Sequence, residues 1–553
     1  MSDADILGPL RRAVAAAARA ASGADVPEVV LEPPARPELG DLASPVAMTL
    51  ARAARRPPRE IAEAIASRLL EDAAAAGRLQ GVEVAGPGFL NLRLAPAWFA
   101  WAAREVAAAG PSYGAGQADP AERILLEYVS SNPTGPPHVG HARHAAYGDS
   151  LGRILAFAGH EVEREFYVND HGRQMRLFAA SVAARYAQLA GRQAEIPEEG
   201  YRGDYVSEVA EALLEELGDA HADAAARGDD EVVALIGERA EGRMLATVRA
   251  DLDRFRASFD TFFSERALHR DGRVAAGVAA LESAGDAYRS EGALWFATER
   301  YGDEKDRVLV RGDGEPTYLA ADVAYHLDKA ARGHDRLIDV LGADHHGYVA
   351  RLRAVLAAGG HDPDRLEVPI VQLVSLVERG EAKRMSKRAG TLVTLRELMD
   401  DIGVDAARFF LVQRSHETPM DLDLDLAREQ SQENPVYYVQ YAHARIAGIL
   451  AQAPAGAPDA APPATLDASE RALVLRLAEW PTAVREAEER RAVHRLPAYL
   501  IDLARDFHAF YTRCRVVGEE PDVEAFRLDC CRAAASVART GLDLLGVEAP
   551  ERM

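Results

Sequence analysis

The sequence predicts an α/β fold in three parts: a small mixed α/β unit, a central parallel sheet with crossover helices, and an all-helical carboxyl-terminal bundle. Three observations predict it. The apolar run Ile124-Leu125-Leu126 to Val129 is broken by Ser130-Ser131-Asn132-Pro133-Thr134-Gly135-Pro136-Pro137, and a helical pattern follows over 139–157. Strand, tight loop and helix in that order open a parallel α/β sheet, with its ligand at the carboxyl end of the strand. Beyond about residue 400 only helical periodicity is present. Finally, 553 residues exceed what one hydrophobic core holds, so several units are expected.

The elements follow in chain order. Residues 13–21 and 61–70 carry helical patterns. Val82-Glu83-Val84 and Phe89-Leu90-Asn91-Leu92-Arg93-Leu94 read as strands joined by the turn Gly86-Pro87-Gly88. The stretch 110–116, rich in Gly and Pro, reads as a linker, which bounds a first unit at 1–115. The central unit is expected over 116–399. An Ala-rich, strongly charged helical stretch interrupts it at about 195–285 and reads as an insertion. Strand-like runs resume at Arg307-Val308-Leu309-Val310 and Leu337-Ile338-Asp339-Val340-Leu341. The helical unit is expected over 400–553, with the Pro/Ala-rich stretch 453–465 as a loop between helices.

Composition narrows the class. The chain is 48% hydrophobic and 27% charged, as globular proteins usually are. It has no apolar run long enough to span a bilayer, and its first residues lack a signal-peptide pattern, so no membrane partner is expected. Cys514, Cys530 and Cys531 form no CxxC pair, which argues against a thiolate zinc site or a disulfide framework and fits a reducing cytoplasm. A net charge of −23 argues against indiscriminate nucleic-acid binding, DNA included. It does not exclude RNA, because net charge averages the surface and binding uses a patch.

Two short motifs carry the chemistry. Pro137-His138-Val139-Gly140-His141 lies at the helix start, and Arg384-Met385-Ser386-Lys387-Arg388 lies about 250 residues later. Attack of a carboxylate on the α-phosphorus of ATP needs no strong base, only stabilisation of phosphoryl and pyrophosphate charge. A helix amino terminus favours phosphate, so His138 is well placed for it, with His141 one turn on along the same face. Gly140 lets a nucleotide approach the backbone. Lys387, between Gly380 and Gly390, is a mobile point charge for pyrophosphate. Two other readings exist: the histidines simply decorate a helix, or His138, His141 and His144, with Asp344-His345-His346, bind zinc. Glycine-rich backbone beside the histidines suits a nucleotide better than a metal.

Together these motifs resemble the signatures of class I aminoacyl-tRNA synthetases, and further stretches resemble the arginyl branch of bacterial type. They are the stretches Glu127 to Gly135, Asn169 to Gln174, Thr317 to His326, Asn434 to Arg445 and the terminal Glu548 to Met553. The resemblance implies a Rossmann-like catalytic domain with a helical connective insertion, an amino-terminal domain that touches the tRNA corner loop, and an anticodon-binding bundle. It implies that ATP, arriving with Mg²⁺, is held by His138, Gly140, His141, Gly342, Asp344, Arg384, Met385, Ser386 and Lys387. The catalytic residues would be His138, His141 and Lys387. Arginine would be held by Glu127, Ser130 and Asn132 at its amino-acid end and by Tyr318, Asp322 and His346 near its guanidinium. A guanidinium has five fixed donors and a permanent charge, which calls for a carboxylate, and Tyr318 and Asp322 at i, i+4 share a helical face. Phe89, Tyr437 and Tyr441 would meet tRNA-Arg, and a monomer without bound zinc is expected. Arg384 and Arg388 depart from the usual lysine and serine of the second motif. A small-molecule ligase of the same superfamily, a non-catalytic RNA-binding relative and a different class I synthetase are the alternatives.

Overall fold

A computed structural model describes residues 5–72, 77–383, 393–453 and 461–553, and leaves out the side chains of Pro37 and His346. Its centre is a five-stranded sheet of β1 (Arg123–Glu127), β2 (Glu161–Val168), β3 (Thr261–Ser264), β4 (Arg336–Asp339) and β5 (Leu366–Glu367). All neighbours are parallel, in the order β5-β4-β1-β2-β3. The chain steps outward from β1 to β3, then returns to the other side of β1. That reversal makes β1 and β4 the place where a cleft opens at the carboxyl ends of the strands. Ile124, Leu125 and Leu126 are buried on both faces of β1, which is why it reads as a continuous apolar run. This is the Rossmann-like arrangement expected.

The helix Val139–Ala158 joins β1 to β2, begins at His138 and ends at Gly159. It is buried nearly all round, between the sheet and the helices of the carboxyl-terminal part. Arg408, fully buried, ties it there: its guanidinium donates to Asp149 Oδ2 (2.5 Å), Phe255 O (2.8 Å) and Leu545 O (2.6 Å).

Three details differ from the expectation. β3 lies inside the stretch 195–285, so the chain revisits the sheet there. The helices before it, Arg173–Leu189, Asp204–Leu217, Ala222–Ala226 and Asp230–Arg254, pack around their own core of Phe178, Tyr186, Leu213 and Ile236. A four-residue edge strand amid long helices leaves too short a period-2 signal to stand out. Arg307–Val310 is not in the parallel sheet; it pairs antiparallel with Ala293–Phe296, itself paired with Ala287–Ser290. The turn between those two strands has Glu291 and Gly292 at φ 52° and 78°, a tight hairpin whose nearby edge captures the third strand. Past residue 400, Met420–Asp423 is a strand parallel to Val374–Glu378.

The amino-terminal unit is a three-stranded antiparallel sheet, with Phe89–Leu94 between Leu42–Ser44 and Leu79–Ala85, covered by helices Gly8–Ser22, Val46–Ala54 and Pro58–Glu71. Arg471 of the helix Ala468–Glu489 pairs with Asp41 at 2.5 Å, so the first and last parts of the chain touch. The stretch 110–116 is anchored as well: Trp480 Nε1 donates to Tyr113 O at 2.9 Å. Gly114, at φ 83°, leaves no room for a side chain, since a Cβ there would lie 2.9 Å from the Trp480 ring. Among the described residues, no helix is long and apolar enough to cross a membrane.

Candidate active site

His138 caps the helix that follows β1. Its Nδ1 accepts from the Gly140 N–H at 3.1 Å, and His141 Nδ1 accepts from the His138 N–H at 3.3 Å, a reciprocal capping pair. The two rings stack with centroids 3.9 Å apart. With both Nδ1 atoms accepting, the proton of each neutral ring lies on Nε2. Two imidazole N–H donors thus join a helix amino terminus, a setting for phosphate.

His144, one turn further on, faces the end of β4. Burial pulls its imidazole down to about 4, against the opposing pull of Asp344, so the ring is neutral near pH 7. It lies beside Gly342, where an added Cβ would be 3.6 Å from its ring and 2.7 Å from Asp344 Oδ1. The strand Leu341–Gly342 therefore lets a ligand reach the backbone only because residue 342 has no side chain.

On the other side of β1 the chain is strained. Val129 and Ser130 have φ of 69° and 25°, costing of order ~1–3 kcal/mol each, and such strain gathers at sites of function. The turn aims Ser130 back: its hydroxyl donates to Glu127 Oε1 (2.7 Å) and accepts the Tyr167 N–H (3.0 Å). Asn132 Nδ2 donates to Asn169 O at 2.7 Å. Asn169 Oδ1 is buried and has no hydrogen-bond partner among the described residues, an acceptor that a ligand donor would satisfy. Glu127 is buried, and Lys329 and Tyr325 also hold it.

Asp322 projects from the helix Tyr318–Ala331 and accepts the Tyr348 hydroxyl at 2.5 Å. Burial raises its pKa, opposed by His326 and by the Tyr348 bond. Tyr318 opens that helix and is 58% exposed, so it stands out from the wall while Asp322 forms part of it. Glu265, unmarked in the sequence among many acids, follows β3 directly and is buried. Burial, with Asp322 and Asp170 nearby, raises it to about 7. A cation near both carboxylates would relieve this repulsion. A permanently cationic guanidinium placed there would bind best to ionised Glu265. The affinity for such a ligand should therefore fall as pH falls through about 7, by up to about tenfold per unit. Initial rates between about pH 6 and 8 check this, and Glu265→Gln should flatten the slope.

Arg384, Met385, Ser386 and Lys387 lie outside the described residues, as does the side chain of His346, whose backbone is in the 3₁₀ turn Ala343–Tyr348. The residues flanking the second motif are tied to the first. Val139 N–H donates to Val393 O (3.1 Å) and Leu395 N–H to Pro137 O (2.7 Å). His138 and Thr394 form a bridge. On the other flank Lys383 N–H donates to Leu376 O (2.8 Å).

Three family descriptions match the chain: "Arginyl tRNA synthetase N terminal domain" over 9–94, "tRNA synthetases class I (R), catalytic domain" over 109–432 and "DALR anticodon binding domain" over 439–553. The chain belongs to the arginyl-tRNA synthetase family. The arginine–tRNA ligase of Shouchella clausii is 44% identical over 551 residues, 98% of either chain. That of Geobacillus thermodenitrificans is 43% identical over 552 residues, again 98% of either. The solved Thermus thermophilus arginyl-tRNA synthetase is 26% identical, covers 98% of this chain and 99% of its own, and superposes with a TM-score of 0.76.

An aromatic face spans the start of the stretch that matches the DALR anticodon binding domain. Tyr437 and Tyr441, on the helix Pro435–Leu450, are parallel within 10° with centroids 6.2 Å apart. Arg445, one turn on, donates to the Tyr441 hydroxyl and lies 4.8 Å and 4.7 Å over the rings of Tyr441 and Tyr511. His508 stacks on Tyr441 at 5.9 Å. All of these side chains are partly exposed. Phe89 is half-buried, at the hairpin end of the amino-terminal sheet.

Proposed function

We propose that this protein joins L-arginine to tRNA-Arg. The arginine carboxylate attacks the α-phosphorus of ATP, giving arginyl-adenylate and pyrophosphate. A hydroxyl of the terminal tRNA ribose then attacks the activated carbonyl and releases AMP. One observation carries the reading. A single carboxyl edge of the sheet holds a phosphate-suited helix start, at His138 and His141, and carboxylates for a cation, at Asp322, Glu265 and Glu127.

ATP, with Mg²⁺ as its own counter-ion, is proposed to lie over His138, Gly140, His141, Gly342 and Asp344, with Arg384, Met385, Ser386 and Lys387 closing on its phosphates. Asp322 and Glu265 take the guanidinium, with Tyr318 and His346 at the pocket mouth. Glu127, Ser130 and Asn132 take the α-ammonium and carboxylate. The proposed division is 1–115 for the tRNA corner, 116–399 for catalysis and 400–553 for the anticodon, with Phe89 in the first and Tyr437 and Tyr441 in the last as RNA contacts. A cytoplasmic monomer without affinity for DNA fits the composition.

ATP–pyrophosphate exchange across the twenty amino acids, with and without tRNA, tests the reading. Exchange with arginine alone is expected, and exchange with any other amino acid instead would overturn the pocket assignment. For the aromatic face, Arg445→Ala should lower kcat/KM for tRNA by about 10- to 100-fold, because the guanidinium and the rings it orders stack on unpaired bases. Arginine-dependent exchange at saturating tRNA should stay unchanged. A tRNA KM equal to the parent's would exclude that face from the interface.

A further inference from the structure

We propose that Lys329, with Tyr325, is a positioning pair that fixes the Glu127 carboxylate for the substrate's α-ammonium. The proposal rests on the reading of Glu127 given above. Its ground is the sheet register. Asp339, Glu127 and Glu165 are direct partners across β4, β1 and β2, so three carboxylates stand side by side at the carboxyl edge. Parallel partners in register point to the same face, where such a row repels itself unless cations are set against it.

The helix Tyr318–Ala331 supplies those cations. Lys329 Nζ, 0% exposed, donates to Glu127 Oε2 and, at 2.6 Å, to Asp339 Oδ1. Arg332 pairs with Glu165 at 2.5 Å. His326 places Nδ1 2.9 Å from Asp322 O and Nε2 2.9 Å from Asp339 Oδ2. Carbonyl and carboxylate oxygens only accept, so both ring nitrogens are placed to donate, and against the pull of burial Asp339 raises the pKa of the ring, favouring the cation. Three cations therefore face three anions. Burial alone would pull Lys329 down, but Asp339 and Glu127 outweigh it and hold it charged.

The Tyr325 hydroxyl sits between Glu127 Oε2 (2.9 Å) and Glu165 Oε1 (2.6 Å) and spaces the two. Glu127 Oε2 thus takes Lys329 and shares the single Tyr325 proton with Glu165, and Oε1 takes Ser130. A carboxylate has about four acceptor positions, so one remains, on Oε1 beside the strained turn. Lys329 touches no proposed substrate atom and acts only through Glu127.

The test is discrimination between arginine and its desamino analogue, which lacks only the α-amino group. It is measured as arginine KM and analogue Ki in tRNA-saturated pyrophosphate exchange. Lys329→Met and Tyr325→Phe should raise the arginine KM about 10- to 100-fold, the worth of a hydrogen bond to a charged group, while the analogue Ki and the ATP KM hold steady. Equal loss for arginine and analogue would overturn the proposal, since a merely structural defect moves both. If Lys329→Met does not fold, Tyr325→Phe decides, because it unpairs no buried charge. Glu127→Gln separates the two readings. If it keeps the discrimination, the Glu127 role itself fails; if it loses it while Lys329→Met and Tyr325→Phe keep it, the positioning pair is wrong.

Discussion

Asp322→Ala is expected to raise the KM for arginine about 100- to 1,000-fold while leaving the KM for ATP within about twofold, the span of removing one partner of a desolvated charge pair. Asp322 presents a carboxylate whose second bond, from Tyr348, fixes its orientation before any ligand arrives. The Arg351 guanidinium lies 4.9 Å over the Tyr348 ring and holds that tyrosine in turn. Truncation removes one anion from the pocket and leaves the Tyr348 hydroxyl without its acceptor, so the loss exceeds that of one exposed ion pair. Glu265 would remain, and its proton would come off more readily without Asp322 beside it. The residual arginine affinity should therefore depend less on pH than in the parent. Asp322→Asn, which keeps the shape and an acceptor oxygen, should fall between the two. Steady-state exchange kinetics with arginine and ATP varied separately decide this. An arginine KM within threefold of the parent's would remove Asp322 from the pocket.

What the sequence showed of this site follows from the range of the forces that built it. The start of the helix at His138 was legible because it is local: a Pro- and Gly-rich loop, then twenty residues of helix, Val139–Ala158. Asp322 was legible because a short motif surrounds it. Glu265 was not, since an acid behind a four-residue edge strand looks like any solvated acid of the charged stretch around it. Its placement appears only when β3 docks on β2 and brings it to Tyr167 and Asp322. The row Asp339, Glu127 and Glu165 is a matter of register between strands far apart in the chain, and register leaves no local trace. Lys329 likewise resembles a favourable charge near a helix end until the sheet beneath it is known. Arg307–Val310 was legible as a strand but not as a member of a separate antiparallel sheet, because strand propensity does not name a partner. The positive φ of Val129 and Ser130 had no signal at all, since neither is glycine or asparagine.

Lys387→Ala should lower the rate of adenylate formation by about 100- to 1,000-fold, the loss expected when one donor aimed at developing charge is removed. Arginine affinity should stay as it was. Lys387 is six residues before Val393, whose carbonyl accepts from Val139, the first residue of the His138 helix. On the proposed reading arginine binds at the carboxylates across β1 and pyrophosphate charge grows at the helix start, so this lysine would act on the barrier and not on amino-acid binding. Lys387→Arg separates charge from shape. A guanidinium keeps the charge but replaces a compact, rotatable ammonium by a planar fork, so only part of the rate should return. Single-turnover adenylate formation at saturating arginine, ATP and tRNA gives the chemical step, and equilibrium binding gives the arginine Kd. A parent-like single-turnover rate in Lys387→Ala would detach the second motif from the chemistry, and a weakened arginine Kd would place the lysine on the wrong side of β1.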